Sequence, residues 1–295
     1  MLFRFLLASV VLLAAISPSR SQSVHRPTSI GVFDLGDSTF AKQATASVRS
    51  NLKAEPELNL SDPDLVRAAA KGIGYTGSLN MTVNEARDLG AAIASDFFLI
   101  GDAETLRRSS SQSPVYYESY CSIFIVSSRT GQLVFWERPS FEALNEGEAE
   151  QQLLQNLSAI GARERWTKAI QRAEERERTQ RALIVDNNVQ LIEAPDDEKA
   201  ADAQGLQLPR PYRRLRPDYP ASAARADAEA TVDVIVDVGA DGEVGQIQLA
   251  RWAGFGLDET TIATVRQMHF FPAQRNGTPI AMRVLLRYNF RKPQN

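Results

Sequence analysis

Two histidines and one cysteine in 295 residues leave little material for metal or nucleophilic chemistry. His25, His269 and Cys121 do not readily assemble a His/Cys metal cluster or a Cys/His nucleophilic pair, and a single thiol excludes a disulfide within the chain. Cys121 falls in the apolar run 120–126 and reads as a buried, inert thiol. His269, beside Phe270 and Phe271 near the end of a helical pattern, reads as a packed or surface residue. No catalytic residue, cofactor site or metal ligand is expected. A dominant charge is also missing: 33 basic and 36 acidic residues are mixed along the chain for a net −3, so no basic field exists to hold a phosphate backbone. Nucleic acid is not an expected partner. The longest apolar run, residues 5–16, has a dozen residues, where a membrane-spanning helix needs roughly 20.

That short run has another use. Arg4 precedes it, and Ser17-Pro18-Ser19-Arg20-Ser21 follows as a polar breaker with small residues at cleavage spacing, so residues 1–21 read as a signal peptide. The mature chain is then expected to begin near Gln22 and to lie in the periplasm. No cysteine follows the run, so no lipid anchor is expected. The alternative is an uncleaved segment that holds the chain in the inner membrane, facing the periplasm. Otherwise membrane contact is expected to be indirect only. A chain of this length with 43% hydrophobic residues suffices for two cores.

Residues 29–160 alternate between strand-like and helical runs. A strand is expected over 29–35, helices over 41–52, 63–71 and 82–93, then strands over 96–104, 116–127 and 132–139. Ser128-Arg129-Thr130-Gly131 has the length and the glycine of a hairpin turn. The product is a mixed α/β sandwich with helices on a small sheet. The strand Asp96-Phe97-Phe98-Leu99-Ile100-Gly101-Asp102 and the tyrosine-led Thr-Gly hairpin resemble the periplasmic α/β domain of TolB and CsgG-like proteins. That resemblance implies an envelope-associated interaction domain. Asp34, Asp37, Asp102 and Glu104 fall at strand ends, where paired carboxylates support acid/base chemistry if burial or mutual repulsion separates their pKa values, the basis of an alternative reading as an envelope hydrolase. Gly72-Ile73-Gly74-Tyr75-Thr76-Gly77 spells G-x-G-x-x-G, but it follows a helical pattern instead of joining a strand to a helix start. It reads as a helix C-cap and loop.

Residues 161–207 form a charged helix and linker. Trp166 and Ile170 anchor its first part, whereas 173–181, mostly Glu and Arg, is expected to protrude as a solvated helix. The linker carries Pro195-Asp196-Asp197-Glu198, and its short apolar run 189–192 suits a strand added to either domain.

The strongest pattern lies in 208–292. After the proline-punctuated stretch 208–220, Val232, Val234, Val236 and Val238 alternate with polar residues as a half-buried strand. Asp241-Gly242 turns the chain, 244–252 returns, Leu257-Asp258 opens a helix over 257–269, and 281–290 alternates again as a last strand. The fold class is therefore α+β: the N-terminal α/β sandwich, the charged helix and linker, and a C-terminal ββαβ unit. Tyr219-Pro220, the first strand, Asp241-Gly242, Leu257-Asp258, Phe270-x-Pro272, Asn276-Gly277 and a final strand ending at Phe290 resemble the TonB C-terminal domain. Ala230 stands where a glycine is usual and Met268 where an aromatic is common. The resemblance implies a protein that is not an enzyme and that binds an outer-membrane transporter or other envelope protein by strand addition. On that analogy the recognition strand is 283–290, with Arg283, Leu285, Arg287 and Asn289 facing outward and Tyr219 and Pro220 as further contact residues. The two arginines either meet acidic partner residues or guard an edge strand. Arg210, Arg213, Arg214 and Arg216 pose a similar choice between a basic patch and a solvated face. A membrane-anchored energy transducer is the alternative on the same analogy.

Overall fold

The computed structural model describes residues 26–109, 115–182, 191–195 and 198–292. The expected signal peptide, and Val189 and Gln190 of the apolar linker run, lie outside the described residues.

The N-terminal half is built on strands β1 (Thr28–Val32), β2 (Leu58–Leu60), β3 (Phe97–Arg108), β4 (Tyr116–Ser127), β5 (Leu133–Glu137) and β6 (Ser140–Ala143). They form one sheet in the order β2-β1-β3-β4-β5, with β6 also on β4. The pairs β1–β2 and β1–β3 are parallel, and the long β3–β4 hairpin and its neighbours are antiparallel. Helices start where the sequence supplies caps. Ser38 accepts the Ala41 N–H at the head of α1 (Thr39–Lys53), and Asp62 does so for α2 (Pro63–Gly72), whose Pro63 has no N–H to leave unsatisfied. Thr82 and Glu85 form a reciprocal capping box on α3 (Val83–Ile93). Alternation along β3 and β4 sends Phe97, Leu99, Cys121, Ile123 and Ile125 to one face, beneath α1, α4 (Glu146–Ser158) and α5 (Ile160–Ala182). Phe98, Ile100, Phe124 and Val126 go to the other, beneath α2 and α3. Cys121 is fully buried, and burial pushes its thiol well up. The glycine-rich stretch after α2 is a loop, with Gly74 and Gly77 at positive φ.

The charged helix departs from expectation. Instead of protruding from residue 173 onward, α5 is docked further along: Ala173 is buried, Glu174 accepts from the Thr28 hydroxyl at 2.5 Å, and Glu177 accepts from the Ser127 hydroxyl and pairs with Arg129. Its acids find buried-edge hydroxyl donors, which hydrophobic periodicity does not reveal.

The C-terminal half centres on β10 (Ala230–Val238), flanked by β11 (Val244–Arg251) and β15 (Met282–Phe290). Helix α8 (Leu257–Val265) lies on the valine face of β10 through Leu257 and Val265. It is four residues shorter than the expected 257–269, although Met268 remains buried beyond its end. The turn after β10 needs glycine at 242: φ is +83°, and a Cβ there would sit 1.9 Å from the Phe270 carbonyl oxygen. The linker contributes more than expected. Strand β7 (Ile192–Glu193) joins β15, α6 (Glu198–Ala203) buries Ala201, and β8 (Leu206–Gln207) buries Leu206 and pairs with β13 (Ala273–Arg275). The short strands β9 (Arg210–Pro211), β12 (Phe270–Phe271) and β14 (Thr278–Ile280) and the single-turn α7 (Ala221–Arg225) complete the domain.

The two halves share a core. Trp252, just after β11, is fully buried against Phe124 of β4, with ring centroids 6.0 Å apart, and its Nε1–H donates to the Gly131 carbonyl at 3.0 Å. Asn80 acts as an adaptor: its Nδ2 donates to the Thr231 and Trp252 carbonyls and its Oδ1 accepts the Thr231 N–H. The Trp252 N–H donates to the Met81 carbonyl, and Phe255 sits edge-on to Phe124. Gly254 fits because any Cβ would come within 2.5 Å of the Phe124 ring. The loop is closed by Asp258, whose two oxygens accept the N–H groups of Ala253 and Gly254 at 2.8 Å each. Burial pushes the Asp258 carboxyl up to about 7, against the lowering effect of those two donors.

Trp252→Ala is expected to cost about 3–5 kcal/mol and to split one cooperative unfolding transition into two, which scanning calorimetry checks. A carboxyl raised in the folded state stabilises most when protonated, so the Asp258 contribution is full below its ordinary 3.8 and is lost as pH rises through about 7. Relative to Asp258→Asn, the native chain should lose up to roughly 4 kcal/mol over that window, as three pKa units imply. Urea titrations across the pH range measure it.

Candidate partner-binding edge

The strict alternation of β15 sets its chemistry. Met282, Val284 and Phe290 are buried, Leu286 and Tyr288 pack against the same core, and Arg283, Leu285, Arg287 and Asn289 lie on the opposite face. Pairing with β10 runs without a break from Met282↔Val238 to Phe290↔Ala230. This register places each outward polar residue of β15 opposite a polar residue of β10. Arg283 makes a bidentate pair with Asp237 at 2.6 and 2.9 Å, Arg287 one with Asp233 at 2.7 and 3.0 Å, and Thr231 donates to Asn289 at 2.8 Å. The Asp233 side chain is only 4% exposed and also lies 3.4 Å from Arg251 Nε. These carboxylates hold both guanidinium groups above their ordinary pKa. Leu285, opposite Ile235, stands 54% exposed between the two ion pairs.

The other edge of β15 is covered only at its start. β7 pairs in parallel with Met282 and Arg283, and the Ala194 N–H donates to the Arg283 carbonyl at 2.8 Å. Because main-chain groups alternate sides along a strand, the Arg283 carbonyl direction fixes that of its neighbours at intervals of two. Leu285, Arg287 and Asn289 turn their N–H and C=O groups toward the same edge. No described residue pairs with Val284–Phe290 on that side.

Tyr219 and Pro220 make their contacts inside the domain. The Tyr219 hydroxyl donates to the Ala228 carbonyl at 2.8 Å, and Pro220 begins α7 against Gly256. Among the acids of the N-terminal half, Asp34 forms a surface pair with Arg67 and Asp37 is exposed. Asp102 and Glu104 do come together, sharing the Tyr120 hydroxyl at 3.1 and 3.2 Å, and burial raises the Asp102 carboxyl. Arg138 lies over the Tyr120 ring, 3.7 Å from its centroid. Among the described residues no group of three or more His, Cys, Asp or Glu is placed to hold a metal, and no helix is long and apolar enough to cross a membrane.

Sequence reasoning did not find Asn80, or the use of Asp233 and Asp237 as partners for the arginines. The second was within reach: the acids stand four apart on one strand, as the arginines do on the other, and antiparallel register brings equal spacings together.

Residues 216–291 match the family model of the Gram-negative bacterial TonB protein C-terminal. The chain matches no curated relative. Among solved structures it is similar to the Pseudomonas aeruginosa TonB C-terminal domain, with 19% identity, 36% of this chain and 98% of that one covered, and a TM-score of 0.27. It is similar also to the LpoB C-terminal domain from Salmonella enterica, with 15% identity, 41% and 86% covered, and a TM-score of 0.29. Lipoprotein GNA1162 from Neisseria meningitidis gives 13% identity, 44% and 95% covered, and a TM-score of 0.32.

The ion pairs set an order of stabilities. Arg287 is 56% exposed and its loss leaves Asp233 near Arg251, so Arg287→Ala should cost little stability. Asp233→Ala strips two arginines of a buried acceptor and should cost about 2–3 kcal/mol. Urea unfolding of the two variants measures the difference.

Proposed function

We propose, on the premise that residues 216–291 form a TonB C-terminal domain, that this chain is a periplasmic binding protein that takes up an extended segment of an outer-membrane transporter or another envelope protein by strand addition along Val284–Phe290. The observation that carries this reading is the edge of β15. Past Arg283 the main-chain groups of Leu285, Arg287 and Asn289 face outward without a described partner, in a strand held rigidly by β10. An added strand gains hydrogen bonds for each of those groups, and Leu285 offers it an apolar side chain beside the backbone. The arginines serve the edge differently from a free basic patch. Tied to Asp233 and Asp237, they keep the strand soluble and charged at its rim while adding no unsatisfied charge to attract a partner from a distance.

The reading assigns no catalysis to the chain. Asp34 and Asp37 stand at the surface, and the Asp102–Tyr120–Glu104 group lies against Arg138 as part of the domain's own polar network. The N-terminal half is assigned a carrier role: it holds the binding domain through Trp252 and Asn80 and offers a second surface to the envelope.

A titration with an extended peptide from the N-terminal segment of an outer-membrane transporter tests the reading by amide chemical shifts. Changes are expected at residues 284–290. Leu285→Pro removes an outward N–H and should abolish them while the domain stays folded, whereas Leu286→Pro removes a ladder N–H toward β10 and should unfold it. Shifts that avoid β15, or that survive Leu285→Pro, overturn the proposal.

A further inference from the structure

The stretch 208–217 contains Arg210, Arg213, Arg214 and Arg216 and no acid, in a chain whose net charge is −3. The structure holds this stretch against the segment that follows α8. β9 pairs with β12 through Pro211↔Phe270 and Arg210↔Phe271, and the Tyr212 N–H donates to the His269 carbonyl at 2.9 Å. The pairing sets the Tyr212 and Phe271 rings side by side, centroids 4.3 Å apart, yet they are 60% and 61% exposed. A lone exposed aromatic is ordinary, but two in contact on a fixed support make a patch that water solvates poorly. Next to Tyr212 in the chain, Arg213, Arg214 and Arg216 are exposed, and none has an ion-pair partner among the described residues. This contrasts with Arg283 and Arg287 on β15, which the same domain neutralises with its own aspartates.

Exposed aromatic rings on a stretch that also carries unneutralised guanidinium groups match a surface that presents negative charge with an apolar layer directly beneath it. We propose that the Tyr212–Phe271 tip, with Arg213, Arg214 and Arg216, rests on the headgroups of an anionic phospholipid bilayer, the rings entering the interface and the arginines meeting the phosphates. This replaces the expectation of purely indirect membrane contact. The surface is separate from the β15 edge, so the inference stands or falls independently of strand addition. Its consequence is orientation: a bilayer holding the 208–217 side of the domain fixes the direction in which the β15 edge is presented.

The test uses the full chain with vesicles of phosphatidylethanolamine and phosphatidylglycerol, and phosphatidylcholine vesicles as the uncharged control. Tyr212→Trp keeps a ring at the tip, and its fluorescence, read as the difference from the unsubstituted chain, reports the tip alone whatever the N-terminal segment does. Quenching by brominated lipid is expected on the anionic vesicles and not on the control, and raised salt should reverse it. Replacing Arg213, Arg214 and Arg216 by Gln in the Trp background should weaken the quenching isotherm by roughly 100-fold, from about a fivefold loss per arginine. Phe271→Ser should shift it less. No quenching on anionic vesicles, or quenching that survives the triple Gln replacement, overturns the proposal. So does a tip that ignores vesicles and binds soluble polyglutamate, which would mark an acidic protein as the occupant.

Discussion

Trp252 is the residue on which the two halves of this protein depend. It comes from the end of β11 in the C-terminal sheet but completes the hydrophobic layer under α2 and α3 in the N-terminal one. An indole in that position must satisfy its N–H, and the hairpin turn after β4 supplies the Gly131 carbonyl. Asn80 then satisfies the β10 and β11 ends that such an approach leaves bare. The joint is apolar at its centre and hydrogen-bonded at its rim. Two domains tied in this way move as one body, unlike domains joined only by a polar contact and a linker. Strand β15 is thereby carried on a support much larger than its own four-stranded sheet.

Placing an open strand edge on a rigid body poses a problem that the outward face of β15 addresses. An exposed edge invites pairing with copies of itself, and charge is the usual protection. Here the charges are built as cross-strand pairs, so each arginine is held by an aspartate of β10 and each aspartate is covered by an arginine. Asp233 is nearly buried by this arrangement and would be costly without it. The same pairs fix the β10–β15 register, since a shift by one residue would place each arginine against a valine. Edge protection and register come from one set of side chains.

How far the sequence revealed this depended on whether the signal was local. Alternating valines in β10, the helical spacing over 41–52, 63–71 and 82–93, and the Asp241-Gly242 turn each act within a few residues, and the elements lie close to where those patterns put them. The bounds that slipped did so through tertiary effects. α8 stops at Val265 although the apolar spacing continues to Met268, because the chain must turn to let Phe270 bond Gly242. The docked part of α5 was hidden because its anchors are Glu174 and Glu177 bonding to hydroxyls on distant strands. Trp252 was legible as the end of a strand but not as a core residue of the other half: nothing within its own neighbourhood differs from an ordinary strand end. The outward positions of β15 followed from period-two alternation, while the partners of its arginines required the register.

The linker decides how much of the edge is open. Its parallel pairing with Met282 and Arg283 extends the sheet by one short strand, and in the parallel direction the next positions would run on over Val284 and beyond. Ala194 makes the last of these bonds among the described residues. Among the described residues the rest of that edge has no partner, so a segment whose composition suggests only a tether marks where it opens. On the proposed reading, a segment added along 285–289 meets the linker at Arg283. On that reading, the strand length that the domain accepts is limited by residues 192–194, which lie outside the matched family region.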